Sequence, residues 1–214
     1  MRAAVLELCP VVSLGHRDVP PDAVKDAVAV LKAGGVIAFP TDTLYGIGCA
    51  YSRRRAIERI LRLRGIDRTK RPLTFMLPDL GELARYAEVS EIGRIVLSRI
   101  FPGPYCVELI AQASVPDPFV VGGHRAIGVR IPDHRFCEQV MWGLGEPLLT
   151  ATAKSTDGRI LTTAIAIQDA LGPSLDRIFD GGVLEGLPST VLSLVDDWPT
   201  LLRQGRGASG PLLP

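Results

Sequence analysis

The chain has 214 residues, 47% of them hydrophobic, with 24 basic and 23 acidic side chains for a net charge of +1. That is enough apolar material for a sizeable core in one large domain or two small ones, and too balanced a charge to specify a nucleic-acid or acidic partner by composition alone. Four scattered cysteines (Cys9, Cys49, Cys106 and Cys137) form no C-x-x-C pair, and no stretch reaches about 18 uninterrupted apolar residues. A zinc or redox centre and a membrane span are therefore not expected. The mildly apolar start lacks the long apolar stretch of a signal peptide, so a reduced, cytoplasmic protein is the expectation.

Pro21-Asp22 opens a helix that carries Val24, Val28 and Leu31 on one face and ends at Gly34-Gly35. Gly35 to Phe39 reads as a buried strand, followed by the run PTDTLYGIGC from Pro40 to Cys49. Arg55 to Arg64 predicts a helix with Ile57, Ile60 and Leu61 inward, and Pro72 to Leu77 a strand. Asp79 to Ala87, capped by Asp79, and Ser90 to Ile100 predict two helices, the second broken by FPGP at 101–104. Tyr105 to Ala111 predicts a strand, and residues 114–123 a loop. Ala126 to Ile131 is a strand stopped by Pro132-Asp133, Arg135 to Trp142 a helix, and Pro147 to Ala153 a strand. Thr163 to Leu171 is a helix, Thr190 to Val195 a strand, and Pro199 to Arg203 the last strand. Strands alternating with helices argue an α/β fold, and the short gaps allow antiparallel pairs. The expectation is a single domain over residues 1–207, with a twisted mixed parallel/antiparallel sheet flanked by helices, and a C-terminal tail at 208–214.

Several stretches carry candidate chemistry. Between Arg53 and Arg71 stand nine basic and two acidic residues, +7 in all. This is either a solvated helix face or an anion site for nucleotide phosphates or an RNA backbone. PTDTLYGIGC places hydroxyls at a strand end, where a polar ligand is often held; the same residues also suit a turn organised by Thr41 or Asp42. In PLLTATAKSTDG, Thr150, Thr152 and Lys154 share one face of a strand because side chains alternate with period two. Arg130 lies inside a strongly apolar strand and must either reach solvent or meet an anion. Ser189-Thr190 opens a strand, and Arg203 and Arg206 flank Gly205, a spacing that suits a phosphate clamp or two solvated arginines. His16, His124 and His134 have no metal-ligand spacing, and no nucleophile–base set is legible; a reaction run by positioning and electrostatics leaves no such signature.

Taken in order, GGVIAFPTDTLYGIGC, RPLTFML, FPGPYCVEL, AIGVRIPDH, GEPLLTATA, PSTVLSL and LLRQGRG resemble the YrdC/YciO superfamily, which includes the threonylcarbamoyl-AMP synthases, over roughly residues 20 to 207. The likeness is greatest to the YciO-like branch. It implies a single α/β domain with a large, basic concave face. It implies condensation of L-threonine, bicarbonate and ATP, the last with Mg²⁺ and without a protein metal cage, into threonylcarbamoyl-AMP and pyrophosphate for N6-threonylcarbamoyladenosine formation in tRNA. It also implies binding of tRNA or double-stranded RNA as an alternative role. By this resemblance Thr41, Thr43, Tyr45, Arg64, Arg130 and Thr150 would contact the amino acid. Arg68, Lys70, Arg71, Thr152, Lys154, Ser189, Thr190 and Arg203 would hold the nucleotide, and no acid–base residue is assigned.

The chain departs from the synthase pattern. Arg64 and Ile66 stand where a K-x-R pair is expected, and Thr150-Ala151-Thr152-Ala153-Lys154 stands for S-T-S-A-N. Cys106 stands where Thr often follows P-G-P-x. Ile for Arg removes a charge-assisted hydrogen bond worth about 1.5–3 kcal/mol, roughly ten- to a hundredfold in binding. Two functions follow from the resemblance: an adenylate-forming synthase, or an RNA-binding protein of the same fold with little or no synthase activity.

Overall fold

The computed structural model describes residues 9–14, 19–65, 73–116, 119–120, 125–184, 186–196 and 198–210. In chain order the elements are β1 (Val11–Ser13), α1 (Pro21–Lys32), β2 (Ile37–Phe39), β3 (Gly46–Ala50), α2 (Arg54–Arg64), β4 (Thr74–Met76), α3 (Glu91–Ile100), β5 (Tyr105–Ile110), β6 (Ala126–Arg130), α4 (Arg135–Leu144), β7 (Leu148–Thr152), α5 (Ala164–Leu171), β8 (Arg177–Asp180), β9 (Thr190–Ser193) and β10 (Thr200–Arg203). The ten strands form one mixed sheet in the order β1-β8-β2-β3-β7-β4-β6-β5-β9-β10. β1–β8, β8–β2, β4–β6 and β5–β9 pair parallel, and the other five pairs are antiparallel. This is a single-domain α/β fold with five α-helices among the described residues, as the alternation of patterns implies.

Period-two alternation sends the strand side chains to two different faces. On one face Ile47, Cys49, Phe75, Leu149, Val107, Val129 and Ile127 pack against the buried sides of α2, α3 and α5. On the other, Ile37, Phe39, Ala50, Met76, Leu148 and Phe179 pack against α1 and α4. Helix starts follow local chemistry. Ser90 Oγ accepts from Gly93 N (3.1 Å) and Thr163 Oγ1 from Ala166 N (3.2 Å), satisfying N–H groups that lack helical partners. α4 stops at Gly145, whose φ of +77° is the left-handed conformation that glycine adopts without strain.

The structure departs from the expected elements in five places. The helix expected from Asp79 to Ala87 is only a 3₁₀ turn at Leu83–Arg85. Asp79 does cap, accepting from Glu82 N at 3.1 Å, but Ala87 bridges to Ala111 and Glu88 N donates to Ile110 O, so the sheet edge takes the backbone before a helix can extend. On α1 the buried line is Ala23, Ala27 and Leu31, with Val24 and Val28 at its flank. Val28 is drawn aside because it packs on Gly143 of α4, where an added Cβ would lie 2.9 Å from its Cγ2. β1 and β8 were not expected. Nor was β3, whose glycines read as a turn.

Those glycines have a packing reason. The Phe39 ring lies across β3, and a Cβ on Gly48 would sit 3.1 Å from Phe39 Cε1, 3.1 Å from Thr150 Cγ2 and 3.3 Å from Leu149 O. A Cβ on Gly46 would sit 3.3 Å from Phe39 Cζ. Phe39 is 1% exposed, so its ring has nowhere to move. Gly48→Ala is expected to destabilise the fold by about 1–3 kcal/mol through overpacking, read as a lower urea midpoint at unchanged slope.

Candidate functional site

Helices α1 and α4 cover the part of their sheet face that carries Phe39, Met76, Leu148 and Phe179. Beyond that apolar half a cavity of about 540 Å³ opens on the same face. Its floor is built by cross-strand neighbours. Thr74 of β4 stands opposite Thr150 of β7, Gly46 of β3 opposite Thr152 of β7, and Glu108 of β5 opposite Gly128 of β6. The result is a row of hydroxyls beside two residues without side chains, which keeps the floor deep.

One wall is the turn between β2 and β3. Thr41 Oγ1 accepts from Thr43 N (3.1 Å) and Leu44 N (3.3 Å) and donates to Leu44 O (2.8 Å), so its hydroxyl is committed to holding the turn. That turn aims Asp42 and Thr43 at Arg130. Arg130 Nη2 donates to Asp42 Oδ1 at 2.6 Å and to Thr43 Oγ1 at 3.1 Å. Asp42 Oδ2 also accepts from Asp133 N at 3.4 Å. The arginine and aspartate side chains are only 13% and 9% exposed. Both hydrogen bonds use Nη2, and the buried Arg130 Nε has no partner among the described residues. A guanidinium has five donors, so this one keeps hydrogen-bonding capacity for an anion.

The opposite wall carries Pro188, Ser189, Val191, Leu202 and Arg203. Arg203 Nη2 donates to Ser189 O at 2.9 Å. Thr190 Oγ1 donates to Gly207 O (2.6 Å) and accepts from Gly205 N (3.0 Å), pinning the segment after β10 against the start of β9. Gly205 and Gly207 allow this approach. A Cβ on the first would meet Pro188 O at 2.3 Å, and on the second the Tyr105 ring at 2.4 Å.

Burial raises the pKa of Glu108 on the floor. Cys106 beside it is also raised, first by burial, while the Arg130 charge pulls the other way. His134, at the start of α4, is lowered by burial against the opposing effects of Asp42 and Asp133. Among the described residues no group of three His, Cys, Asp or Glu side chains could hold a metal ion, and no helix is long and apolar enough to cross a membrane.

A model of the Sua5, YciO and YrdC proteins, described as "Telomere recombination", matches residues 29–205. The chain belongs to the Sua5/YciO/YrdC family. It is 33% identical to YciO of Escherichia coli K12 over 201 residues, 92% of this chain and 97% of YciO. The E. coli YciO crystal structure superposes with a TM-score of 0.89 at 29% identity, over 96% of this chain and all of that one. The threonylcarbamoyl-AMP synthase of Mus musculus is 36% identical over 166 residues, 75% of this chain and 56% of the synthase. The crystal structure of P. abyssi Sua5 complexed with L-threonine matches with a TM-score of 0.80 at 25% identity, over 91% of this chain and 57% of Sua5. The chain thus spans nearly all of YciO and a little over half of these two longer family members.

Of the family-expected residues, Thr41, Thr43, Tyr45, Arg130, Thr150, Thr152, Ser189 and Arg203 line this cavity together. Tyr45 does so with its hydroxyl turned away. That group donates to Gly182 O (2.7 Å) and accepts from Gly181 N (2.9 Å), and burial pushes its pKa up to about 12. Arg64, Lys154 and Thr190 do not line the cavity. Arg64 Nη1 donates to Lys154 O (3.1 Å) and Lys154 bridges to Ile160, so this pair organises the exit of β7. Thr190 is occupied with Gly205 and Gly207. Arg68, Lys70 and Arg71, with Ile66, lie outside the described residues. The described part of the basic segment is α2, which packs on the sheet face opposite the cavity; Arg59 there pairs with Asp176, and Arg54 with Glu58 at 3.6 Å. Asp42 as the counter-ion of Arg130, and Thr74 and Glu108 on the floor, were not foreseen. An acid inside the apolar run YCVELI was a signal of the same kind as Arg130 in AIGVR.

Breaking the buried pair from one side strands a charge. Arg130→Met is expected to cost about 3–5 kcal/mol of stability. The double change Asp42→Asn with Arg130→Met should cost less than the sum of the two single changes by about 1 kcal/mol or more. Denaturant unfolding of the four proteins checks the cycle.

Proposed function

We propose that this protein forms an acyl-adenylate, condensing L-threonine, bicarbonate and ATP into threonylcarbamoyl-AMP with release of pyrophosphate, for the threonylcarbamoyl modification of tRNA adenosine. The observation that carries this reading is the Asp42–Arg130–Thr43 cluster, whose guanidinium has donors beyond those two bonds, at one wall of a cavity whose floor is a row of threonine hydroxyls. It is supported by a relative named threonylcarbamoyl-AMP synthase and by a family structure complexed with L-threonine.

In this reading Arg130 and Thr43 take the amino-acid carboxylate, and Thr150 stands beside them on the floor. Thr152, Ser189 and Arg203 take the nucleotide, whose phosphates bring Mg²⁺ with them. No side chain has to serve as nucleophile. The chain contributes by bringing carbamate and α-phosphate together and by stabilising charge on the phosphate oxygens. Incubation of the protein with ATP, Mg²⁺, bicarbonate and L-threonine should give threonine-dependent pyrophosphate and a threonylcarbamoyl-AMP mass. Thr152→Val should lower kcat/KM by roughly tenfold, as for the removal of one hydrogen bond. Absence of product, with a family synthase active in the same assay, overturns the reading.

A second reading, RNA binding with little or no synthesis, is favoured by the exposed arginines of α2 and its approach, Arg53, Arg54, Arg55 and Arg62, on the face away from the cavity. Duplex RNA affinity should then fall steeply with salt. Arg54→Ala with Arg55→Ala should flatten the log–log slope by about 1–2, roughly one for each phosphate no longer neutralised. Filter binding across a salt series checks this.

A further inference from the structure

Among the described residues Glu108 is the one acid on the cavity floor, and its surroundings are unusual for a carboxylate. Its backbone is held in the sheet, with Glu108 O accepting from Leu194 N at 2.9 Å, but its carboxylate makes no hydrogen bond or ion pair with any described residue. The two arginines lining the same cavity are engaged elsewhere: Arg130 with Asp42 and Thr43, Arg203 with the backbone of Ser189. Glu108 is half-buried on a sheet floor, where a charge loses part of its hydration. Such a carboxylate, in a cavity large enough for a ligand, is free to meet a cationic group.

The register says where that cation would lie. Glu108 stands directly opposite Gly128, and Arg130 is two residues further along the same strand, on the same face. The two are therefore diagonal neighbours, roughly 7–8 Å apart at Cα. Gly128 adds no side chain there, and the one that leans over it is the small thiol of Cys106, whose Sγ lies 3.4 Å from where a Gly128 Cβ would be. A small molecule with an anionic and a cationic group on one carbon can span that gap, one hydrogen bond at each end. An α-amino acid is such a molecule.

We propose that Glu108 receives the ammonium group of the amino acid whose carboxylate is held by Arg130, so that this cavity selects zwitterions. The assignment rests on the amino-acid reading given above. It adds to that reading the group that distinguishes an amino acid from a hydroxy acid of the same shape. The pKa of Glu108 is raised by burial, and a bound ammonium would draw it back down.

The test is calorimetric titration with L-threonine and with its 2-hydroxy analogue, in which a hydroxyl replaces the ammonium, on the wild-type chain and on Glu108→Gln. Wild type is expected to prefer threonine by roughly ten- to a hundredfold, the range for one charge-assisted hydrogen bond. Glu108→Gln, which keeps size and polarity, should lose most of that preference while binding the hydroxy acid as before. Glu108→Asp should keep part of it, and decides the same comparison should the Gln variant fail to fold. A wild-type preference retained in Glu108→Gln overturns the proposal and leaves amino-acid binding standing. Binding of neither ligand to wild type overturns the amino-acid reading, and the ammonium assignment with it.

Discussion

A guanidinium on an inner strand cannot be left alone, and much of this molecule's polar architecture follows from that. Arg130 sits on β6, between β4 and β5, with a side chain 13% exposed. Its charge is met by Asp42 from the turn after β2, and Asp42 is in turn held by Asp133 N from the loop before α4. Two segments distant in sequence, the turn after β2 and the stretch from β6 to α4, are thereby locked at one point. Such a pair adds little net stability, because desolvation offsets most of its attraction. What it adds is position: Thr43 and the spare donors of Arg130 are held at the wall of the cavity.

The cavity exists because one sheet face is divided. Phe39 lies over Gly46 and Gly48 and joins the apolar layer under α1 and α4. Beyond that layer the same face carries Thr74, Thr150, Thr152, Gly128 and Glu108. Hydrophobic burial holds the strands in register from one half, and the other half is free to display polar groups at fixed spacing. The opposite face needs no such division, being covered by α2, α3 and α5. The segment after β10 closes the far wall through Thr190, Gly205 and Gly207, so residues with the look of phosphate ligands serve there as fasteners.

This arrangement separates two kinds of charge. Cationic density that is conspicuous in sequence belongs, for the described part, to α2 on the back of the sheet. The cavity itself carries a few charges, each placed by register: Arg130 against Asp42, Arg203 against a backbone carbonyl, and Glu108 without a partner among the described residues. A site of this kind works by geometry more than by a strong positive field. On the reading proposed above it would hold a small zwitterion next to a phosphate-bearing ligand, for a reaction that needs no nucleophile–base set.

The amino-acid sequence by itself determined the α/β class, most of the elements and the family, because apolar periodicity and the order of short motifs are local or nearly local properties. It also marked Thr43, Arg130, Thr152, Ser189 and Arg203 as polar residues at or inside strands, where polar groups need a reason. Tertiary structure alone decided which of them share a cavity. Asp42 meets Arg130 across 88 positions, and Thr190 meets Gly207 across 17. It also turned the guanidinium of Arg64 toward the backbone carbonyl of Lys154 and the phenol of Tyr45 toward Gly182. β3 and the truncated 79–87 segment were illegible for the same reason: a glycine-rich strand under a phenyl ring, and a chain recruited to the sheet edge at Ala111, are set by neighbours far away in sequence. Strand pairing and the packing of distant side chains decide such arrangements, and neither leaves a trace in a short window of sequence.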